Sequence, residues 1–262
     1  MNFCELQMKN SLICLFRKHT LLTILYAFLV VGNKGAMSDP RDNISRLFPI
    51  YNNNGLPDLT IDPQRFQSQM SIVDRYFAPD SCDIDEGAVR DSGYRRLLRF
   101  DVVVMNMGDG DLIVGDRADL SNPYAQYFIY HTCHNHYHIN KFSYYQLLRL
   151  DDSEVIRGTK QGFCFRDDLK YGDNLSNGYD CNYQGITSGW GDWYYKQLGG
   201  QWIDITGIPE GDYKVRVTIN AIDQTGHRIF NEGGHDGAGL YTNTVETIIH
   251  IPDPRKKVDV IP

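Results

Sequence analysis

The chemistry in this chain is densest between positions 131 and 138, which read His131-Thr132-Cys133-His134-Asn135-His136-Tyr137-His138. His134, His136 and His138 stand two residues apart. Side chains alternate between the faces of a β-strand, so this spacing predicts three imidazoles side by side on one face. Polar groups are seldom buried without a partner, and ring nitrogens packed this closely suit a metal ion. Imidazole binds copper, zinc, iron and nickel alike, so the cluster by itself fits a copper centre, a zinc hydrolase or a cupin-like iron site. On the same strand, His131 and Cys133 have the opposite parity and face away. That reading leaves Cys133 available for a disulfide and gives His131 a structural or supporting role.

The elements that must hold this cluster read as strands. Leu97–Met105 is a continuous apolar and β-branched run interrupted by one acid, Asp101, and Gly108-Asp109-Gly110 supplies the turn after it. Leu112–Val114, Tyr127–Tyr130, Ser143–Leu150 and Gln201–Thr206 are further strand candidates. Val215, Val217 and Ile219 alternate with polar residues, as do Val245, Thr247, Ile249 and Ile251, the pattern of half-buried strands. Helical periodicity is weak throughout. The 17 Tyr and 12 Phe suit sheets better than helices. The expected fold is all-β and sandwich-like, with long irregular loops and few helices. Asp167–Gly200 is rich in Gly, Asn and Tyr and reads as a long loop; loops of that length inside a domain usually carry function.

Flanking segments place the domain. Lys9, Arg17 and Lys18 precede an uncharged apolar run, Leu21–Val31, with small residues beyond it. This is the pattern of a secretory signal peptide over residues 1–36, and the run is short for a membrane span. A retained leader would instead anchor the chain to a membrane. Residues 37–55 read as a polar linker and residues 252–262 as a polar, Pro- and Lys-rich tail. Beyond the leader four cysteines remain, Cys82, Cys133, Cys164 and Cys181. An oxidising compartment would pair them, and four cysteines allow three pairings. The formal net charge is −7, and the leader is itself basic, so the rest is more acidic still. Such a surface attracts cationic partners and repels nucleic acid.

Further blocks carry a resemblance. Leu56-Pro57-Asp58-Leu59 precedes Asp62-Pro63. Val89-Arg90-Asp91 precedes Arg95 and Leu97-Leu98-Arg99-Phe100. Gly158-Thr159-Lys160 precedes Phe163-Cys164, and Gln201-Trp202-Ile203-Asp204-Ile205-Thr206 precedes Gly211 and Tyr213. With the histidine cluster, these blocks in this order resemble the catalytic domain of the lysyl oxidase family over about residues 56–251. The family's copper motif, W-H-S-C-H-Q-H-Y-H, is kept at every histidine here, with Tyr130 in place of the Trp.

The resemblance implies a secreted, copper-dependent amine oxidase with copper on His134, His136 and His138. It also implies the self-made cofactor lysine tyrosylquinone, from Lys160 and Tyr194, with Asp192 as the catalytic base two residues away. Tyr195 is the alternative if the register slips by one. The implied substrate is a cationic amine, above all a lysine side chain of a protein, with O₂ as acceptor and an aldehyde, ammonia and hydrogen peroxide as products. The family bridges the positions of Cys133 and Cys181, and with that bridge made, Cys82 and Cys164 are the expected second pair. Three other family cysteine positions are Lys170, Trp190 and Gly200 here. Two rivals to the oxidase are a secreted zinc hydrolase on the same histidines and a non-catalytic matrix-binding module of the same fold.

Overall fold

A computed structural model of the chain describes residues 50, 54–133, 136–139, 141–160, 164–233 and 241–262, with the side chains of His136, Thr159 and Lys160 excepted. The leader and nearly all of the linker lie outside the described residues. What is described is all-β: two short helices and sixteen strands in several sheets, none closed into a barrel.

Three four-stranded sheets frame the site. The first has the order β1 (Leu59–Ile61), β4 (Val102–Asn106), β12 (Trp190–Tyr194), β10 (Leu169–Lys170). The second has the order β13 (Trp202–Asp204), β3 (Gly93–Arg99), β2 (Ser71–Phe77), β16 (Asp259–Ile261). The third has the order β15 (Thr244–Ile251), β14 (Gly211–Ile219), β8 (Ser143–Leu148), β9 (Glu154–Lys160). Two smaller pairings complete it, β5 (Leu112–Gly115) with β11 (Gln184–Ile186), and the hairpin β6 (Phe128–His131) with β7 (His136–Ile139). The alternation read in β14 is met: Val215, Val217 and Ile219 are buried and the residues between them are not. They join Phe100, Tyr145, Phe165 and Phe230 in the main core.

Three segments differ from their sequence reading. The apolar run over 97–105 is two strands, β3 and β4, which part at Phe100-Asp101 and enter different sheets. The break has its own partners: Asp101 accepts from Trp193 Nε1 at 2.8 Å and from the Lys196 N–H at 2.9 Å. The supposed long loop over 167–200 contains β10, β11 and β12, and β12 is an interior strand of the first sheet. Its Gly191 lets Tyr171 and Val103 approach to within 2.9 Å of where a Cβ would stand, so a position that looks like loop composition is a packing requirement. In the tail, Asp259–Ile261 runs parallel to β2 in register with Val73–Arg75.

The helices are secured locally. In α1 (Pro63–Ser68), the Asp62 carboxylate caps the Gln64 and Arg65 N–H groups, and proline takes the first position. In α2 (Cys82–Asp85), Ser81 caps the Asp83 N–H and Glu86 closes the C-terminus.

Candidate active site

β12 places the two residues that the resemblance singled out on that strand. It pairs antiparallel with β4 in the register Asp192↔Val104 and Tyr194↔Val102. Asp192 and Tyr194 are two residues apart and project from one face. Trp193, between them, faces a separate small cluster with Val103 and Met105. Tyr194 is 5% exposed and belongs to the main core, whereas Tyr195 is 38% exposed and rests its ring edge on Trp193. Parity therefore separates the two candidate tyrosines sharply.

The site around Tyr194 is dry and acidic. Asp192 is buried, and burial drives its carboxyl well above the ordinary carboxylate range; the Tyr194 hydroxyl acts against the rise and the Asp168 charge adds to it. Burial, followed by the nearby Asp192, pushes the Tyr194 phenol up as well. Asp168 is bound by Arg166 at 2.8 Å and accepts from the Trp193 N–H at 3.1 Å. Composition gave no hint of Arg166 and Asp168, which reach the site only because β10 docks on β12.

Lys160 is the last residue of β9, and its backbone stands opposite Ser143 of β8. Ser143 and Tyr194 line one small cavity with Phe142 and Tyr145. Tyr145 donates its hydroxyl to Gln201 at 3.0 Å, and Gln201 donates to the Phe100 carbonyl at 3.1 Å, so this floor is braced by polar contacts. The cavity that Tyr194 lines thus also holds Ser143, the β8 residue paired with Lys160.

The histidines sit on the β6–β7 hairpin. His134 lies outside the described residues, and His136 is placed by its backbone alone, opposite His131. His138 is 3% exposed and stands opposite Ile129. The expectation that His131 faces away is corrected. It assumed one continuous strand, but the chain reverses between His131 and His136, and facing positions of a hairpin share a side. The His131 ring stacks on His138 with centroids 4.5 Å apart. Glu86, which the sequence reading missed, completes a group of three: its Oε1 is 3.2 Å from His131 Nδ1, and donor atoms of Glu86, His131 and His138 all lie within 4.8 Å of one another. Tyr130, at the position of the family's Trp, meets Tyr137 edge-on across the strands at 5.0 Å.

The disulfides also differ from expectation. Cys82 pairs with Cys133, and Cys164 with Cys181. The hairpin tip is therefore tied to α2 instead of to the 164–184 segment. Cys164 meets Cys181 because the residue after it, Phe165, accepts from the Gly185 N–H at 3.1 Å and donates to Gln184 Oε1, also at 3.1 Å. With the cysteine counterparts at 170, 190 and 200 absent, the chain closes the shorter loop, of sequence separation 17.

Known proteins similar to this chain fall in one family. The family model described as lysyl oxidase matches residues 58–250. Lysyl oxidase homolog 2 of Rattus norvegicus is 37% identical over 176 residues, which is 63% of this chain and 22% of that protein. The Bos taurus homolog 2 is 33% identical over 223 residues, 74% of this chain and 28% of that protein. Lysyl oxidase homolog 4 of Mus musculus is 33% identical over 191 residues, 68% of this chain and 24% of that protein. The chain thus spans about a quarter of the length of these relatives. With the match running across nearly all the described strands, the chain belongs to the lysyl oxidase family.

Proposed function

We propose that this chain is a secreted, copper-dependent amine oxidase that converts primary amines, foremost the side-chain amine of peptidyl lysine, to aldehydes with release of ammonia and hydrogen peroxide. The observation that carries the reading is the placement of Tyr194. It is sealed beside Asp192 on β12, in the cavity that Ser143, register partner of Lys160, also lines. A lysine tyrosylquinone built from Lys160 and Tyr194 fits that juxtaposition. Copper fits the donor chemistry of the hairpin, where imidazoles gather beside a carboxylate. His134, His136 and His138 are the proposed copper ligands.

When formed, the quinone supplies the electron sink for oxidising the carbon next to the amine nitrogen, and O₂ takes up the electrons. The rest falls to the chain's own residues. Asp192, in its ionised form, accepts the proton from that carbon. Its elevated affinity for protons makes it a stronger base than an exposed carboxylate. The Phe142, Tyr145 and Val102 walls keep water from the ring. The net charge of −7 draws cationic amines toward the protein.

A second reading has its own observation. Glu86, His131 and His138 are also the donor types of a zinc hydrolase. Peptide mass spectrometry on protein made in a copper-replete secretory host separates the two. A peptide cross-linking Lys160 to Tyr194 supports the oxidase. Unmodified Lys160 and Tyr194 peptides from copper-loaded protein overturn it in favour of the hydrolase or the binding module. A link to Tyr195 keeps the function and moves the cofactor by one residue.

A further inference from the structure

The sheet of β13, β3, β2 and β16 turns one face to the small core around Val73, Phe77, Leu97 and Trp202. Strand alternation and register put Arg75, Arg95 and Arg99 on that same face. Arg99 is only 7% exposed. Arg95 has a counterion: its Nε and Nη2 donate to Asp204 Oδ2 at 3.0 and 2.7 Å. Among the described residues Arg75 and Arg99 have none. Asp74 is held by Arg96 on the opposite face, at 2.9 and 3.1 Å, and Asp259, the remaining acid of the sheet, is exposed. Nε of both Arg75 and Arg99 is sealed from solvent and meets no hydrogen-bond partner among the described residues.

What the two guanidiniums share is Trp202. Their central carbons each lie 5.7 Å from its ring centroid, and that of Arg75 also lies 5.0 Å from the Phe77 ring. Ring faces attract cations, but modestly, and an arginine does not shed its proton to escape burial. Burial, followed by the Arg75 charge, lowers the Arg99 pKa from its ordinary value. Two like charges thus face one ring without a carboxylate to balance them. Charges withdrawn from water are ordinarily paired, and a guanidinium fork matches an oxyanion two hydrogen bonds at a time.

We propose that Arg75 and Arg99, set against Trp202, form a binding site for a small divalent oxyanion, sulfate or phosphate. Two fixed positive charges match a dianion better than a carboxylate or a halide. Held against Phe77 and Trp202, the Arg75 fork is already ordered, so little side-chain entropy is lost on binding. The depth of Arg99 favours a small ion over a polymer chain. No part of the oxidase reading enters the assignment, although the two places adjoin through the backbone. Arg99 is followed by Phe100, whose carbonyl accepts from Gln201, the residue before Trp202. An anion held by both arginines links β2 to β3 beside that brace.

The test titrates the full chain with sodium sulfate and, separately, with sodium phosphate, at a constant ionic strength set with sodium chloride. Tryptophan fluorescence and the thermal midpoint are the readouts. Sulfate and phosphate also stabilise proteins by exclusion from their surfaces, so the variants carry the decision. The expected result is a saturable fluorescence change in the parent, with the tighter of the two anions naming the ligand. Its affinity should fall roughly tenfold or more in Arg75→Gln and in Arg99→Gln, as for the loss of a hydrogen bond to a charged group. Arg255→Gln, at an exposed arginine, should keep the parent's affinity. The drop in thermal midpoint caused by Arg75→Gln should be larger in saturating anion than in chloride, whereas a purely packing role gives equal drops in both. Should Arg99→Gln unfold, Arg75→Gln decides alone, since Arg75 is the less buried of the two. No saturable response in the parent, or the parent's affinity kept in Arg75→Gln, overturns the proposal and leaves the two arginines as packing groups on Trp202.

Discussion

The carboxyl of Asp192 and the phenol of Tyr194 share one face of β12 and are buried together, while Tyr195 turns to solvent on the other face. A two-residue offset on an interior strand is therefore enough to bring a carboxyl within reach of a phenol ring. Strand alternation does this by itself, without a loop that must be ordered on binding.

Asp192 should set the acid limb of the pH profile. Burial raises its affinity for protons, so the protonated, inactive form persists above the ordinary carboxylate range. The base form accumulates as pH rises through that raised value, and kcat/KM should rise with it. Asp192→Asn should lower amine turnover by about 10²–10⁴-fold, the usual contribution of a general base, and should flatten this limb. A peroxide-release assay across pH checks both points. The parent's rate and profile, if kept in Asp192→Asn, would exclude the role.

Lys160 and Tyr194 should fail together and Tyr195 should not. Lys160→Ala is expected to abolish peroxide release while copper stoichiometry by elemental analysis stays at the parent value. Tyr194→Phe should do the same and remove the cross-linked peptide. Tyr195→Phe, at an exposed position, should retain activity within a few-fold. Retained turnover in Lys160→Ala would count against the cofactor assignment.

Much of this arrangement can be read from residue order, and the exceptions have physical causes. Val215, Val217 and Ile219 announce β14 because one face is dry and the other wet. The histidine spacing marks one strand of the hairpin as the candidate metal-binding element. Glu86 is invisible in the sequence because its link to His131 depends on which cysteine meets Cys82, and four cysteines allow three answers. His131 is misread for a related reason: parity holds only while a strand continues, and the turn after His131 resets it. β12 hides among glycines and polar residues because its neighbours, Val103 and Tyr171, need a residue without a side chain at Gly191.

The disulfide pattern should be directly visible. Non-reducing peptide mapping should yield Cys82–Cys133 and Cys164–Cys181. By loop-closure entropy, removing the bridge of separation 51 should cost about 4 kcal/mol and the bridge of separation 17 about 3 kcal/mol. Chemical denaturation of the two paired Cys→Ser variants checks the order. Recovery of Cys133–Cys181 instead would return the connectivity to the one the family resemblance implies.

Glu232 should give the protein a stability that declines toward neutral pH. Its side chain is fully buried and accepts from the Leu59 N–H at 2.8 Å and from Asn243 Nδ2 at 2.6 Å, with Asn220 Nδ2 donating to the same carboxylate. Burial outweighs these donors and raises its pKa from 4.5 to about 7. A carboxyl whose folded pKa lies above its unfolded value binds its proton more tightly in the folded state. Its contribution is complete below about pH 4.5 and is lost as pH rises through about 7. The full shift corresponds to roughly 3 kcal/mol at about 1.4 kcal/mol per unit. Glu232→Gln does not titrate. The difference in unfolding free energy between parent and Glu232→Gln should therefore shrink by up to roughly 3 kcal/mol from pH 4.5 to pH 7.5. Urea unfolding at several pH values in that window measures it. A difference that stays constant across the window, or grows with pH, would mean that the three donors hold Glu232 ionised in the folded protein after all.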